Sequence, residues 1–112
     1  MNRKANSFTH DFVRAIGKKL DEVQTHDGPT ALITISLSKL FSGGLDLKYA
    51  TNLPHESQSW FVLEFISLLG RISVLPFPTI ALVKGAAIAG GCMFAFAHDY
   101  IYVADNGLFA CN

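Results

Sequence analysis

The sequence predicts an α/β fold, and three observations carry the prediction. An amphipathic helix is followed at once by a short β-branched run; a second such run stands behind a long apolar helix; and a glycine-rich turn follows each run and opens a further helix. Short runs that are apolar on both faces are what strands inside a parallel, helix-covered sheet require.

The elements follow in order. From Thr9 to Gln24 the apolar residues Phe12, Val13, Ile16, Leu20 and Val23 recur at helical spacing, with Arg14, Lys18, Lys19, Asp21 and Glu22 on the opposite side. Thr9 is placed to cap this helix and Asp11 lies in its first turn, while His26-Asp27-Gly28-Pro29 supplies the stop and turn. Ala31 to Leu37 (ALITISL) reads as the first buried strand. Phe41-Ser42-Gly43-Gly44 makes a glycine turn from which Leu45 to Ala50 opens a short helix. After the polar stretch Thr51 to Ser59, Trp60 to Leu75 reads as a long helix buried on most sides and ended by Pro76 and Pro78. Thr79 to Val83 (TIALV) is a second strand running into Gly85 to Gly91, Cys92 to His98 a helix of small and large apolar residues, and Tyr100 to Ala104 a third strand before the turn Asp105-Asn106-Gly107.

Composition narrows the classes of function. At 112 residues, 50% hydrophobic and 16% charged, the chain has the make-up of one folded globular unit and not of a disordered segment. Nine Lys and Arg offset nine Asp and Glu, so no basic patch is available for nucleic acid or an anionic membrane. MNRKANSFTHDF has no apolar run behind its basic residues, and no signal peptide is expected. Thr79 to Ala97 is nearly all apolar, but Lys84 interrupts it and the remainder falls short of the roughly 20 residues of a spanning helix, so no membrane span is expected. Cys92 and Cys111 lack metal spacing and suit a reducing compartment.

The candidate chemistry lies in the two glycine turns. Each joins a buried strand to a helix start, where unpaired N–H groups face the positive end of a helix dipole, the requirement for holding an anion or a developing oxyanion. Glycines after strands more often serve as simple turn residues, so spacing alone leaves both readings open. Neither turn has the lysine of a phosphate loop or the dinucleotide fingerprint.

Phe41-Ser42-Gly43-Gly44-Leu45-Asp46-Leu47 resembles the first oxyanion segment of the crotonase (enoyl-CoA hydratase/isomerase) superfamily, and Pro78 to Cys92 (PTIALVKGAAIAGGC) resembles its second, in matching order and separation. Ala97-His98-Asp99-Tyr100 followed by Phe109, and Asn6-Ser7-Phe8-Thr9 ahead of the first helix, are similar to the family as well. The resemblance implies part of a crotonase-like spiral of ββα turns, with residues 1–112 as a single incomplete domain whose C-terminal part is missing. It implies that the N–H groups of Leu45 and Gly90 hold a thioester oxygen, with the backbone at Gly43, Gly44 and Gly91 beside the substrate. Lys48 matches a position that approaches coenzyme A in relatives, with an ordinary solvated lysine as the alternative. Phe61, Phe65 and Leu69 stand where an acyl pocket is lined, with plain core packing the favoured reading.

The same resemblance implies acid–base chemistry on an acyl-CoA, with coenzyme A as part of the substrate and no metal or redox cofactor. Met93 occupies the place of the first of two glutamates used by the family's hydratases, and a thioether transfers no proton. The expected reaction is therefore isomerisation of 3-enoyl-CoA to trans-2-enoyl-CoA in fatty-acid β-oxidation, by the one glutamate that family spacing puts at or just past Asn112. An enoyl-CoA hydratase, or a non-catalytic piece that binds acyl-CoA or a homologous partner, are the alternatives. By analogy the intact relative is a homotrimer or dimer of trimers in a peroxisome or mitochondrion.

Other residues invite sharper readings. Glu56 reads as solvated and Glu64 as lying on the least buried side of its helix. His98 and Asp99 with Ser42 suggest a triad, but adjacent residues seldom face each other and no nucleophile elbow is present. Cys92, near a helix start, is placed either as an activated thiol, since the related Clp protease fold has a serine nucleophile near this turn, or as a buried structural cysteine, the favoured reading. His10, His26 and His55 show no metal-ligand spacing.

Overall fold

The computed structural model describes residues 1–28 and 30–111. Its elements are α1 (His10–Gln24), β1 (Leu32–Thr34), α2 (Leu47–Thr51), α3 (His55–Ser73), β2 (Thr79–Val83), β3 (Ala86–Ile88), α4 (Gly90–Phe96), β4 (Tyr100–Val103) and β5 (Leu108–Ala110). The α/β prediction holds, with every strand pair parallel: β1-β2-β4 form one sheet and β3-β5 another. Pro29, part of the predicted turn, lies outside the described residues.

The spiral character comes from two corners. Gly85 (φ +80) turns the chain from β2 into β3, and a Cβ there would strike the backbone oxygen of Lys39. Gly107 turns it from β4 into β5, in the equivalent place one layer on. The corners stack: Leu108 N–H donates to Gly85 O (3.1 Å) and Ala104 N–H to Val83 O (2.9 Å). Each ββ unit thus repeats the last, with α4 between them.

Thr9 caps α1 as expected, its hydroxyl accepting from Phe12 N–H (3.3 Å). On α3 the buried residues Phe61, Phe65, Leu68 and Ile72 are spaced four, three and four apart, a single stripe worth about 1.5–3 kcal/mol per side chain removed from water. Arg71 fastens α3 to α1 by donating to Gly17 O (3.0 Å), Asp21 Oδ1 (2.5 Å) and Gln24 Oε1 (2.6 Å). The aromatic core is formed by Phe8, Phe12, Phe41, Phe65 and Phe94, with Phe8 touching Phe12, Phe65 and Phe94.

Several expectations are corrected. Strand β1 is only Leu32–Thr34, and Ile33, Ile35 and Leu37 are exposed, so one face of the sheet is bare where burial on both was expected. Helix α3 begins at His55, five residues before Trp60, directly after Pro54, whose fixed φ (−53) suits a helix entry, so His55 to Ser59 form its first turn. It is buried on one face only, with Trp60, Leu63 and Ile66 in solvent. Strands β3 and β5 were not foreseen: each is only three residues long and stands next to a glycine turn, too short a run for an alternating pattern to show. Among the described residues no helix is long and apolar enough to cross a membrane.

Candidate active site

The first glycine turn is fixed by the segment ahead of α1. Phe8 N–H donates to Gly44 O (2.8 Å) and Asp46 N–H donates to Phe8 O (2.9 Å). In such a parallel bridge the residue between the two partners, here Leu45, turns its own N–H away from Phe8. The second turn is set by Ala89, whose N–H donates to Ala110 O (2.6 Å) while its carbonyl accepts from Cys92 N (2.9 Å) and Met93 N (3.3 Å). Ala89 has φ 49 and ψ −113, a conformation that favours glycine and stores about 1–3 kcal/mol of strain. That turn leaves Gly90 as the first residue of α4.

The two turns converge. Leu45 N lies 3.3 Å from the point that a Cβ on Gly90 would occupy, and a Cβ on Gly44 would stand 2.9 Å from Gly90 N and 2.7 Å from Ile88 O. Gly44 itself has φ +82. A Cβ on Gly91 would strike the backbone oxygen of Ser42. Gly44 and Gly91 are therefore required for the approach, and a Cβ on Gly90 would fit only tightly, at 3.3 Å from Leu45 N. Neither the Leu45 nor the Gly90 N–H donates a hydrogen bond to a described residue. Two unengaged amide donors on backbone segments this close, with the buried Phe65 ring behind Gly90, are suited to a negative oxygen, since such donors need no reorganisation.

The other predicted residues divide. Phe65 is buried, with its Cε2 3.4 Å from the Cβ position of Gly90 and its ring 4.7 Å from that of Phe8, so it forms the wall behind the second turn. Phe61 is fully buried between His10 (4.9 Å) and Tyr49 (5.4 Å), away from both turns. Leu69 packs partly buried against the core. Gly43 meets only Ser7 Oγ (3.1 Å) and Ala5 in the space a Cβ would fill. Lys48 is exposed on α2, whose start is capped by Asp46 Oδ1 accepting from Tyr49 N–H (3.0 Å).

Glu64 is half-buried and not on the least buried side of α3, where Trp60, Leu63 and Ile66 stand. Its Oε2 is 2.6 Å from His10 Nδ1 and its Oε1 accepts from Arg14 Nε (3.1 Å), because α3 packs on α1 along that edge. Glu56 is exposed as expected. The triad is excluded by its partners: His98 Nδ1 donates to Phe94 O (2.9 Å), Nε2 pairs with Thr34 Oγ1 (2.8 Å), and Asp99 Oδ2 accepts from Thr79 N–H (3.0 Å). Burial lowers the His98 pKa, which keeps the ring neutral. Cys92 donates its thiol to Ala87 O (3.1 Å), and burial, then the neighbouring Cys111, pushes its pKa up to about 11. A thiol so disposed is structural, not an activated nucleophile. No group of three or more potential metal ligands occurs among the described residues. Sequence reasoning missed Ser42 as a link between the turns: its N–H donates to Ala86 O (3.2 Å) and its carbonyl accepts from Ile88 N–H (2.9 Å), a bridge no local pattern announces.

The chain matches the family model described as enoyl-CoA hydratase/isomerase over residues 1–112. It is 33% identical over 106 residues to enoyl-CoA delta isomerase 3 of Arabidopsis thaliana, covering 90% of this chain and 44% of that protein. It is 43% identical over 72 residues to the peroxisomal enoyl-CoA delta isomerase 1 of the same plant, covering 64% of this chain and 30% of that one. Its fold superimposes on the crystal structure of enoyl-CoA hydratase from Bacillus anthracis with a TM-score of 0.87 at 24% identity, over 95% of this chain and 42% of the other. The chain thus spans less than half the length of these relatives. With the paired glycine turns and the stacked ββ corners, the match over residues 1–112 shows that this chain belongs to the enoyl-CoA hydratase/isomerase family, with the crotonase fold.

Proposed function

We propose that these residues supply the oxyanion-binding part of an enoyl-CoA isomerase that converts 3-enoyl-CoA to trans-2-enoyl-CoA. The observation that carries the reading is the convergence of the unengaged Leu45 and Gly90 amides, with Met93, which has no proton to give, in the first turn of the helix that Gly90 opens. A proton leaves C2 of the substrate, the electron pair moves so that the double bond passes from C3–C4 to C2–C3, and a proton returns at C4. Between those steps the negative charge rests on the thioester oxygen, where the two amides stabilise it more than they do the neutral carbonyl. One acid–base group suffices for this transfer, whereas adding water in the family's hydratases uses two. Met93 is 51% exposed and offers only a thioether.

The shuttling carboxylate is expected in the part of the relatives' length that this chain does not span. Asp46 is engaged as the cap of α2 and Glu64 by His10 and Arg14. Lys48, exposed just beyond the first turn, belongs to the same reading as a residue that approaches coenzyme A, with an ordinary solvated lysine as the alternative. The peroxisomal name of one relative supports a peroxisome as the compartment, with a mitochondrion as the alternative. Assembly as a homotrimer or dimer of trimers belongs to the same reading.

The test is a pair of assays on the full-length protein. Isomerisation of 3-enoyl-CoA, followed by the absorbance of the conjugated product, is expected; water addition to a 2-enoyl-CoA without isomerisation would overturn the reading in favour of a hydratase. A second reading is favoured by the absence, among the described residues, of an unengaged carboxylate at the two turns: the segment binds acyl-CoA without turnover. Binding of a saturated acyl-CoA with neither reaction supports it.

A further inference from the structure

We propose that Ser42 and Asn6 are positioning residues that select which amide of the first turn is left for the thioester oxygen; the inference rests on the oxyanion reading above. Asn6 is wholly buried and holds a left-handed backbone (φ 46). Its Oδ1 accepts from Arg3 N–H (2.9 Å), and its Nδ2 donates to Ser36 Oγ (2.7 Å) and Phe41 O (3.1 Å), so both ends of the amide are fixed. The backbone carbonyl of Asn6 consequently has one direction, and Ser42 Oγ donates to it (2.9 Å).

A serine hydroxyl has one proton. With that proton committed to Asn6, Ser42 Oγ meets its next neighbour as an acceptor, and Gly44 N–H donates to it (3.1 Å). The Gly44 amide is thereby engaged on the inner side of the turn, and the next amide, Leu45, faces Gly90. The backbone of the same serine is bonded to the second segment through Ala86 O and Ile88 N. One residue therefore holds the first turn with its side chain and the second with its main chain, while Gly43 N–H, donating to Ala5 O (2.8 Å), steadies the peptide between. Removing the hydroxyl orphans two buried groups, Asn6 O and Gly44 N–H, and the turn regains a partner for Gly44 only by rotating its peptides, which carries Leu45 N–H out of line.

The experiment uses the full-length protein with Ser42→Ala and Ser42→Cys. The cysteine fills the same space with a sulfur that accepts weakly, so it separates hydrogen bonding from packing and covers the case in which the alanine variant does not fold. Each folded variant is measured for kcat and KM on 3-enoyl-CoA and for the infrared carbonyl stretch of a bound saturated acyl-CoA. Wild type is expected to lower that frequency; both variants should lose most of the shift and roughly 10²-fold in kcat, the scale of one lost oxyanion donor, with little change in KM. A folded variant that keeps the wild-type carbonyl shift and kcat overturns the inference, since a merely structural serine would change stability alone. A wild-type protein that binds acyl-CoA without shifting the carbonyl overturns the oxyanion reading itself, and this inference with it.

Discussion

Replacing Gly44 by alanine tests the convergence of the two turns most directly. Gly44 has φ +82, where an L-residue costs about 1–2 kcal/mol relative to glycine. The added methyl would also stand 2.7 Å from Ile88 O and 2.9 Å from Gly90 N, both backbone atoms that no side-chain rotation can move. Overpacking of this kind costs about 1–3 kcal/mol. Together the terms give a loss of roughly 2–5 kcal/mol, a large share of a domain's stability. Two controls divide the sum. Gly28→Ala, at φ +99 with nothing within 4 Å, should show the conformational term alone. Gly43→Ala, one residue away with no positive φ and only Ser7 Oγ at 3.1 Å, needs just a hydroxyl rotation and should stay within about 1 kcal/mol of wild type. Urea unfolding with linear extrapolation measures all three. Turnover by the full-length protein should fall roughly 10²-fold in Gly44→Ala, as expected when a reacting group is displaced by about 1 Å. If Gly44→Ala proves no less stable than Gly28→Ala, the backbone contact between the turns is not what the structure implies.

The remaining predictions concern single features. Ala89→Gly should relieve the φ 49 conformation and raise stability by about 1 kcal/mol after the flexibility of glycine is counted, read as an increased urea midpoint. Gly70→Ala, in the last turn of α3 with open space around it, should stabilise by up to about 0.5–1 kcal/mol in the same measurement. Iodoacetamide at pH 8 should label exposed Cys111 and spare Cys92 until the protein unfolds, as mass spectrometry will show; because the Cys92 pKa rises from 9.0 to about 11 on folding, its contribution to stability is full below pH 9 and lost as the pH climbs through 11. For His98 the shift is downward from 6.5, so the unfolded chain takes up a proton that the folded one resists: stability should be full above pH 6.5, decline as the pH falls below it, and lose that part of its decline in His98→Gln.

Local chemistry made much of this protein legible. Thr9 announced the start of α1, the run Thr79 to Val83 was found at its observed limits, and the two glycine turns were located because glycine tolerates close approach and positive φ. What stayed hidden depended on partners distant in the chain. Apolar periodicity records which faces of β1 and α3 require cover, but it cannot say which are covered within these residues, and Ile33 and Trp60 proved exposed. Glu64 was read onto the least buried side of α3, but the packing of α3 on α1 half-buries it and brings it His10 and Arg14 from more than fifty and from fifty positions away. Strands β3 and β5 pair where Gly85 and Gly107 stack two corners, a contact between segments that a three-residue run does not announce. The sequence by itself determined which peptide groups can approach closely; only the tertiary structure decided that Leu45 and Gly90 do so with their amides unengaged, because the direction of an N–H is set by the hydrogen bonds of its neighbours, and those neighbours, Phe8 and Ala110, lie far away along the chain.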